Sequence, residues 1–94
     1  MQQKTWFVYI IEGSDGNYYT GITTDVARRW GEHSGDKGFA KVGAKYFRGR
    51  KPTALVYVEE QQNRSSASKR EAAIKKLTKS DKTKLLNSTS NTLK

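Results

Sequence analysis

The run Trp6-Phe7-Val8-Tyr9-Ile10-Ile11-Glu12, then Gly13-Ser14-Asp15-Gly16, then Asn17-Tyr18-Tyr19-Thr20-Gly21-Ile22-Thr23, restricts the fold more than any other part of the chain. β-Branched and aromatic residues dominate the first run, which reads as a strand buried on both faces or nearly so. The glycine-bounded tetrapeptide is turn chemistry, and the second run returns antiparallel. Two registers are open. A two-residue Asp15-Gly16 turn sets Tyr9 opposite Ile22, and Tyr9 and Tyr19 then face opposite ways. A three-residue Ser14-Asp15-Gly16 loop, with Gly16 left-handed in a bulge, sets Tyr9 opposite Gly21 and Tyr19 opposite Ile11. Both phenols then share one face, with open space above the glycine. The second register is the expected one.

Thr24 is a good N-cap with Asp25 in the first turn, so a helix is expected from about Asp25 to His33, ending near Ser34-Gly35. Val26 and Trp30, four apart, define its buried stripe. Arg29 and His33 flank that stripe, whereas Arg28 falls further round and can pair with Glu32. Arg29 is therefore the better candidate for a partly buried functional cation. Ser34 to Pro52 differs in kind: it mixes Gly35, Gly38, Gly43 and Gly49 with many cations and with Phe39, Tyr46 and Phe47. A long loop is expected there, and its aromatics argue against disorder.

Thr53 to Glu60 reads as a third strand, with Glu59 and Glu60 solvated at its end. Ser65-Ser66 can cap a second helix running to about Lys79, with Ala67, Ala73, Ile74 and Leu77 inward. Ser80 caps a short third helix through Leu85-Leu86. The order β-β-α-β-α-α makes a small α/β (α+β) domain on a three-stranded, mainly antiparallel sheet flanked by helices. The domain is expected over residues 1–87, with 88–94 a flexible polar tail.

Ninety-four residues suffice for one modest core. Eighteen Lys and Arg against nine Asp and Glu give a formal charge of +9, a field that attracts polyanions and favours nucleic acid as partner. With no cysteine and one histidine, zinc coordination of the usual kind and thiol nucleophiles are out. No apolar stretch approaches a membrane span, and Met1 to Lys4 carries no apolar signal run, so a monomeric cytoplasmic protein without membrane contact is the expectation. There is no Walker-type phosphate loop, and no serine sits in a nucleophile-elbow context. The carboxylates do not cluster, so hydrolytic chemistry must rest on one acid, a few cations and phenols. Glu71 is that acid: on the second helix it sits about 60° from the centre of the buried face, partly desolvated but reachable. The run Ser68 to Glu71 fits a helix-starting capping box equally well.

Taken in order, Phe7-Val8-Tyr9, Tyr19-Thr20-Gly21, Arg29-Trp30 with His33, and Glu71 resemble the GIY-YIG nuclease superfamily. Its members include the amino-terminal nuclease domain of a bacterial excinuclease, certain homing and restriction endonucleases, and junction-cutting nucleases. Gly43 to Pro52, with Leu55-Val56-Tyr57 after it, is similar more narrowly to small stand-alone bacterial members close to the excinuclease-like branch. The resemblance spans roughly Trp6 to Leu86. Phe7 and Val8 stand where the family has glycine and isoleucine, and Thr20 stands for isoleucine. For the asparagine that members often carry near the domain's end, Asn87 is the candidate.

The resemblance implies a metal-dependent endonuclease acting on DNA. Glu71 would hold one Mg²⁺ or Mn²⁺. Arg29 would fork onto phosphate oxygens, and Tyr9 would be the general base. Tyr19 and His33 would position water or phosphate. A free phenol titrates near ~10, so Mg²⁺ and cations must lower that of Tyr9. His33 also reads simply as a helix-end residue favoured by the dipole. Lys41, Lys45, Arg48, Arg50 and Lys51 would grip the backbone, while Tyr46 stacks on an unpaired base or anchors the loop. With no base-reading helix, little sequence preference is expected, and a protein partner could supply substrate choice. RNA as the ligand, and a binding module without turnover, are the rival readings.

Overall fold

The computed structural model describes residues 5–34 and 52–93, with the side chains of residues 31–34 and 52 left aside. Three strands and three helices follow in the expected order: β1 (Trp6–Gly13), β2 (Tyr18–Thr23), α1 (Val26–Ser34), β3 (Pro52–Gln61), α2 (Arg64–Lys75) and α3 (Lys79–Leu86). The sheet is antiparallel with β1 in the middle, β2 on one side and β3 on the other. The central strand accordingly buries both faces, and Val8, Ile10 and Ile11 are wholly enclosed. Each such side chain contributes about 1.5–3 kcal/mol relative to exposure.

Strand alternation splits the core in two. Val8 and Ile10 join Tyr57, Ala67 and Ile74, with Trp6, Tyr18, Ile22, Leu85 and Leu86 around them, so α2 and α3 cover this face. Tyr9 and Ile11 join Val58 on the other face, with Phe7, Tyr19, Val26, Trp30 and Leu55, under α1. A register shift in β3 serves both layers. Ile10 pairs with Tyr57 but Ile11 with Leu55, so Val56 is extra and packs on the same side as Tyr57.

The hairpin takes the second register. Tyr9 pairs with Gly21 and Ile11 with Tyr19, and Gly16 has φ +81°, the left-handed conformation that a glycine tolerates freely. Gly16 N–H donates to the Gly13 carbonyl at 2.9 Å and Gly13 N–H to the Asn17 carbonyl at 2.8 Å, which closes the loop.

Helix boundaries shift from expectation for local reasons. In α1 the Asp25 carboxylate accepts from Arg28 N–H at 3.0 Å, so Asp25 rather than Thr24 acts as the cap. Asn63 caps α2 in a reciprocal box with Ser66, and Glu71 therefore lies mid-helix, outside any capping box. α2 stops at Lys75 because Thr78 caps α3, a role expected of Ser80. Ala67 and Ile74 are buried and Leu77 is half-buried, but Ala73 is exposed, since it precedes Ile74 by about 100° of helix rotation.

Glu59 is a correction. It is 8% exposed, because its place opposite Val8 turns it under α2 rather than into solvent. The segment after α3, expected to be a flexible tail, is likewise tied down. Asn91 is buried, accepts from Val58 N–H at 3.2 Å and donates to the Val56 and Leu86 carbonyls at 3.0 and 2.9 Å. Thr92 N–H donates to the Val58 carbonyl at 2.8 Å. These bonds cover the outer edge of β3, which would otherwise present unpaired backbone groups. Asn87, the candidate family asparagine, is exposed and caps the end of α3. Among the described residues, no helix is long and apolar enough to cross a membrane.

Thr20 is 3% exposed, and its hydroxyl has no hydrogen-bond partner among the described residues. Thr20→Val removes that orphaned group at nearly constant shape and is expected to stabilise the fold by about 1 kcal/mol, read as a higher urea midpoint at unchanged m-value.

Candidate active site

Tyr9 sits at the centre of the α1-side layer. Its ring lies over Gly21, so close that a Cβ there would come 2.5 Å from the phenolic oxygen. The glycine is thus a cradle for the phenol, and no larger residue leaves the ring where it is. Tyr19 stands on the same face, ring centroids 6.3 Å apart and tilted by 50°. From α1, Arg29 Nε donates to the Tyr9 hydroxyl at 3.3 Å, a long bond. Val26 and Trp30 pack the helix onto this layer, which turns Arg29 inward while Arg28 stays exposed. Two phenols and a guanidinium predicted from three separate elements therefore meet.

The electrostatics of Tyr9 are a contest. Burial dominates and pushes the phenol well above its ordinary value, Arg29 draws it down through its hydrogen bond and charge, and Tyr19 pushes it up. Burial wins, so Tyr9 is a neutral hydroxyl in the free chain. Arg29 alone does not make it a phenolate.

Glu71 is on α2, its side chain 24% exposed, and its described ion pair is with Lys75, four residues on, at 3.4 Å. No described hydrogen bond or ion pair joins it to Tyr9, Tyr19 or Arg29. Of the two acids near α2, Glu71 is the one with spare coordination. Glu59 already accepts from Arg70, Tyr57 and Gln61. Among the described residues, no three His, Asp or Glu side chains gather into a metal cage. A lone carboxylate still suits Mg²⁺, which usually takes one or two carboxylates with waters and substrate phosphate. His33 lies on α1, but its side chain is not among those described. Lys41, Lys45, Tyr46, Arg48, Arg50 and Lys51 fall outside the described residues. Glu59 with Arg70 is the buried pair that strand-end reasoning missed. The signal was available: Tyr57 and Glu59 are two apart in a strand, hence on one face.

A three-stranded antiparallel sheet thus sets paired tyrosines and a helix-borne arginine against a glycine, the frame of a small catalytic-type domain. The family model for the GIY-YIG catalytic domain matches residues 5–85, and the chain belongs to this family. A UPF0213 protein of Desulfotalea psychrophila is 51% identical over 84 residues, covering 89% of this chain and 73% of that protein. One from Halobacterium salinarum is 51% identical over 75 residues, covering 80% of this chain and 91% of that protein. The solution NMR structure of the UPF0213 protein BH0048 from Bacillus halodurans superposes with a TM-score of 0.56 at 36% identity, over 95% of this chain and 89% of that one.

Two outcomes follow from the phenol's setting. Gly21→Ala is expected to displace the Tyr9 ring and weaken the fold by about 1–3 kcal/mol, measured by urea unfolding together with ring NOEs. The folded protein also holds the Tyr9 proton above the pH of about 10 at which an unfolded tyrosine releases it. Stability carried by this group is therefore complete below that pH and falls as the pH rises past it. Tyr9→Phe is expected to remove a late-ionising phenol from an absorbance titration and to flatten the alkaline loss of stability.

Proposed function

We propose that the chain is a metal-dependent endonuclease that hydrolyses DNA phosphodiester bonds with little sequence preference. The observation that carries this reading is the Tyr9 hydroxyl cradled by Gly21 and met by Arg29 beside Tyr19. Membership of the GIY-YIG family supports it, as does the charge of +9. Arg29 presents a planar fork that matches two phosphate oxygens, which a lysine would match less well. Its grip on the Tyr9 hydroxyl points that oxygen toward the phosphate it binds. Tyr19 shields the pair from bulk water and offers a second hydroxyl to orient the attacking water. Tyr9 first releases its own proton to solvent, which burial resists and positive charge assists, and the phenolate then takes the proton of the attacking water. Glu71 would hold Mg²⁺ or Mn²⁺, which would supply Lewis acidity and positive charge to the reaction. Lys41, Lys45, Arg48, Arg50 and Lys51, with Tyr46 and His33, extend the contact to the DNA backbone.

The phenol raised by burial favours one rival, a module that binds nucleic acid through the same surface without turnover. A cleavage panel in Mg²⁺ and Mn²⁺ over linear, flap, junction and single-stranded DNA separates the two. Wild type is expected to cut. Tyr9→Phe, Arg29→Ala and Glu71→Ala are each expected to lose about 100-fold or more in rate while binding DNA nearly as well. Salt-dependent binding with no cleavage on any substrate makes the binding module correct, and three variants that all cut like wild type remove the assigned site.

A further inference from the structure

Among the described residues, Glu59 is the only charged side chain that is buried. Nothing in the chemistry above uses it. Arg70 Nε reaches both of its carboxylate oxygens at 3.1 Å, the Gln61 amide and the Tyr57 hydroxyl donate to it, and Ser90 Oγ lies 3.1 Å from that hydroxyl. One carboxylate thus ties β3, α2 and the C-terminal segment together. The pair lies on the sheet face away from Tyr9.

Its position on α2 gives it a consequence. The helix seats itself on the sheet through two fully buried side chains, Ala67 and Ile74. So narrow an apolar stripe resists sliding but specifies the helix's roll about its own axis weakly. A charged, hydrogen-bonded contact specifies it strongly, because rotation would strand a buried carboxylate. Arg70 and Glu71 are consecutive, about 100° apart around the helix, and fall on opposite flanks of the Ala67–Ile74 stripe. Pinning Arg70 to Glu59 on β3 therefore turns Glu71 to the other flank, toward β2. That is the strand α2 packs against most extensively, and its Gly21 underlies the Tyr9 hydroxyl.

We propose that Glu59 and Arg70 are positioning residues: their buried contact sets the roll of α2 and so delivers Glu71 to the β2 edge as the metal ligand. The metal part rests on the function proposed above; the helix part does not.

Three variants of the full chain test this. Glu59→Gln keeps the side-chain shape and loses the charge. Arg70→Lys keeps the charge and loses the fork, on a side chain that is 36% exposed. Lys69→Gln, an exposed neighbour on the same helix, is the control. In metal-free protein, residual dipolar couplings of the α2 amides are expected to change in the first two variants, with those of β1 and β2 unchanged, and to stay at wild-type values in Lys69→Gln. Unchanged α2 couplings in the folded variants overturn the proposal. If Glu59→Gln does not fold, Arg70→Lys decides. Mn²⁺ titration, followed by paramagnetic broadening around Glu71, is expected to show affinity weakened about 10-fold in both variants. A reoriented α2 with wild-type Mn²⁺ affinity also overturns it. If wild type itself binds no Mn²⁺ at Glu71, the metal reading of the site falls, and the couplings alone decide whether the pair sets the helix.

Discussion

The antiparallel pairing of β1 with β2, in the register set by left-handed Gly16, is the constraint on which the rest depends. Strand side chains alternate with a period of two, so a slip of one residue would send Tyr9 and Tyr19 to opposite faces. The three-residue loop prevents that slip, placing Gly21 opposite Tyr9 and Ile11 opposite Tyr19. Everything on the α1 side follows. The missing Cβ at Gly21 admits the phenol, the phenol meets Arg29, and Tyr19 closes the group.

The sheet's two faces do different work. On the α1 side Tyr9 is desolvated, held neutral, and accepts a hydrogen bond from the Arg29 guanidinium. Further positive charge near this phenol would favour its ionisation. On the α2 side the buried polar group is saturated. Glu59 has a cation, a hydroxyl and an amide, and burial with the Glu59 contact pushes the Tyr57 phenol up as well. Here the polar atoms act as fasteners. β1 belongs to both faces through its alternation, so its side chains enter both layers.

Much of this is legible along the chain alone. Element order, the hairpin register and the inward phase of Arg29 come from local signals: turn glycines, two-residue alternation and helical spacing. These signals reach a few residues along the chain, which is why they served for Tyr9, Tyr19 and Arg29. They failed where the partner is distant in sequence. Glu59 reads as solvated because it ends a run of strand residues, and its cover comes from α2 and the C-terminal segment. Asn91 reads as tail because mostly polar neighbours surround it, yet its amide pairs with β3 backbone some 33 to 35 residues away.

By itself, then, the sequence determined which residues lie on which face, because alternation and helix phase are properties of contiguous chain. It also carried the expectation that hydrolytic chemistry would rest on phenols, cations and a single acid, since cysteine is absent, histidine is single and the carboxylates do not cluster. Tertiary structure alone decided how those groups are tuned. The balance of burial against Arg29 at Tyr9, the burial and pairing of Glu59, and the closure of the β3 edge all depend on what packs across from each group. Desolvation and charge pairing act through space, over distances that sequence separation does not report.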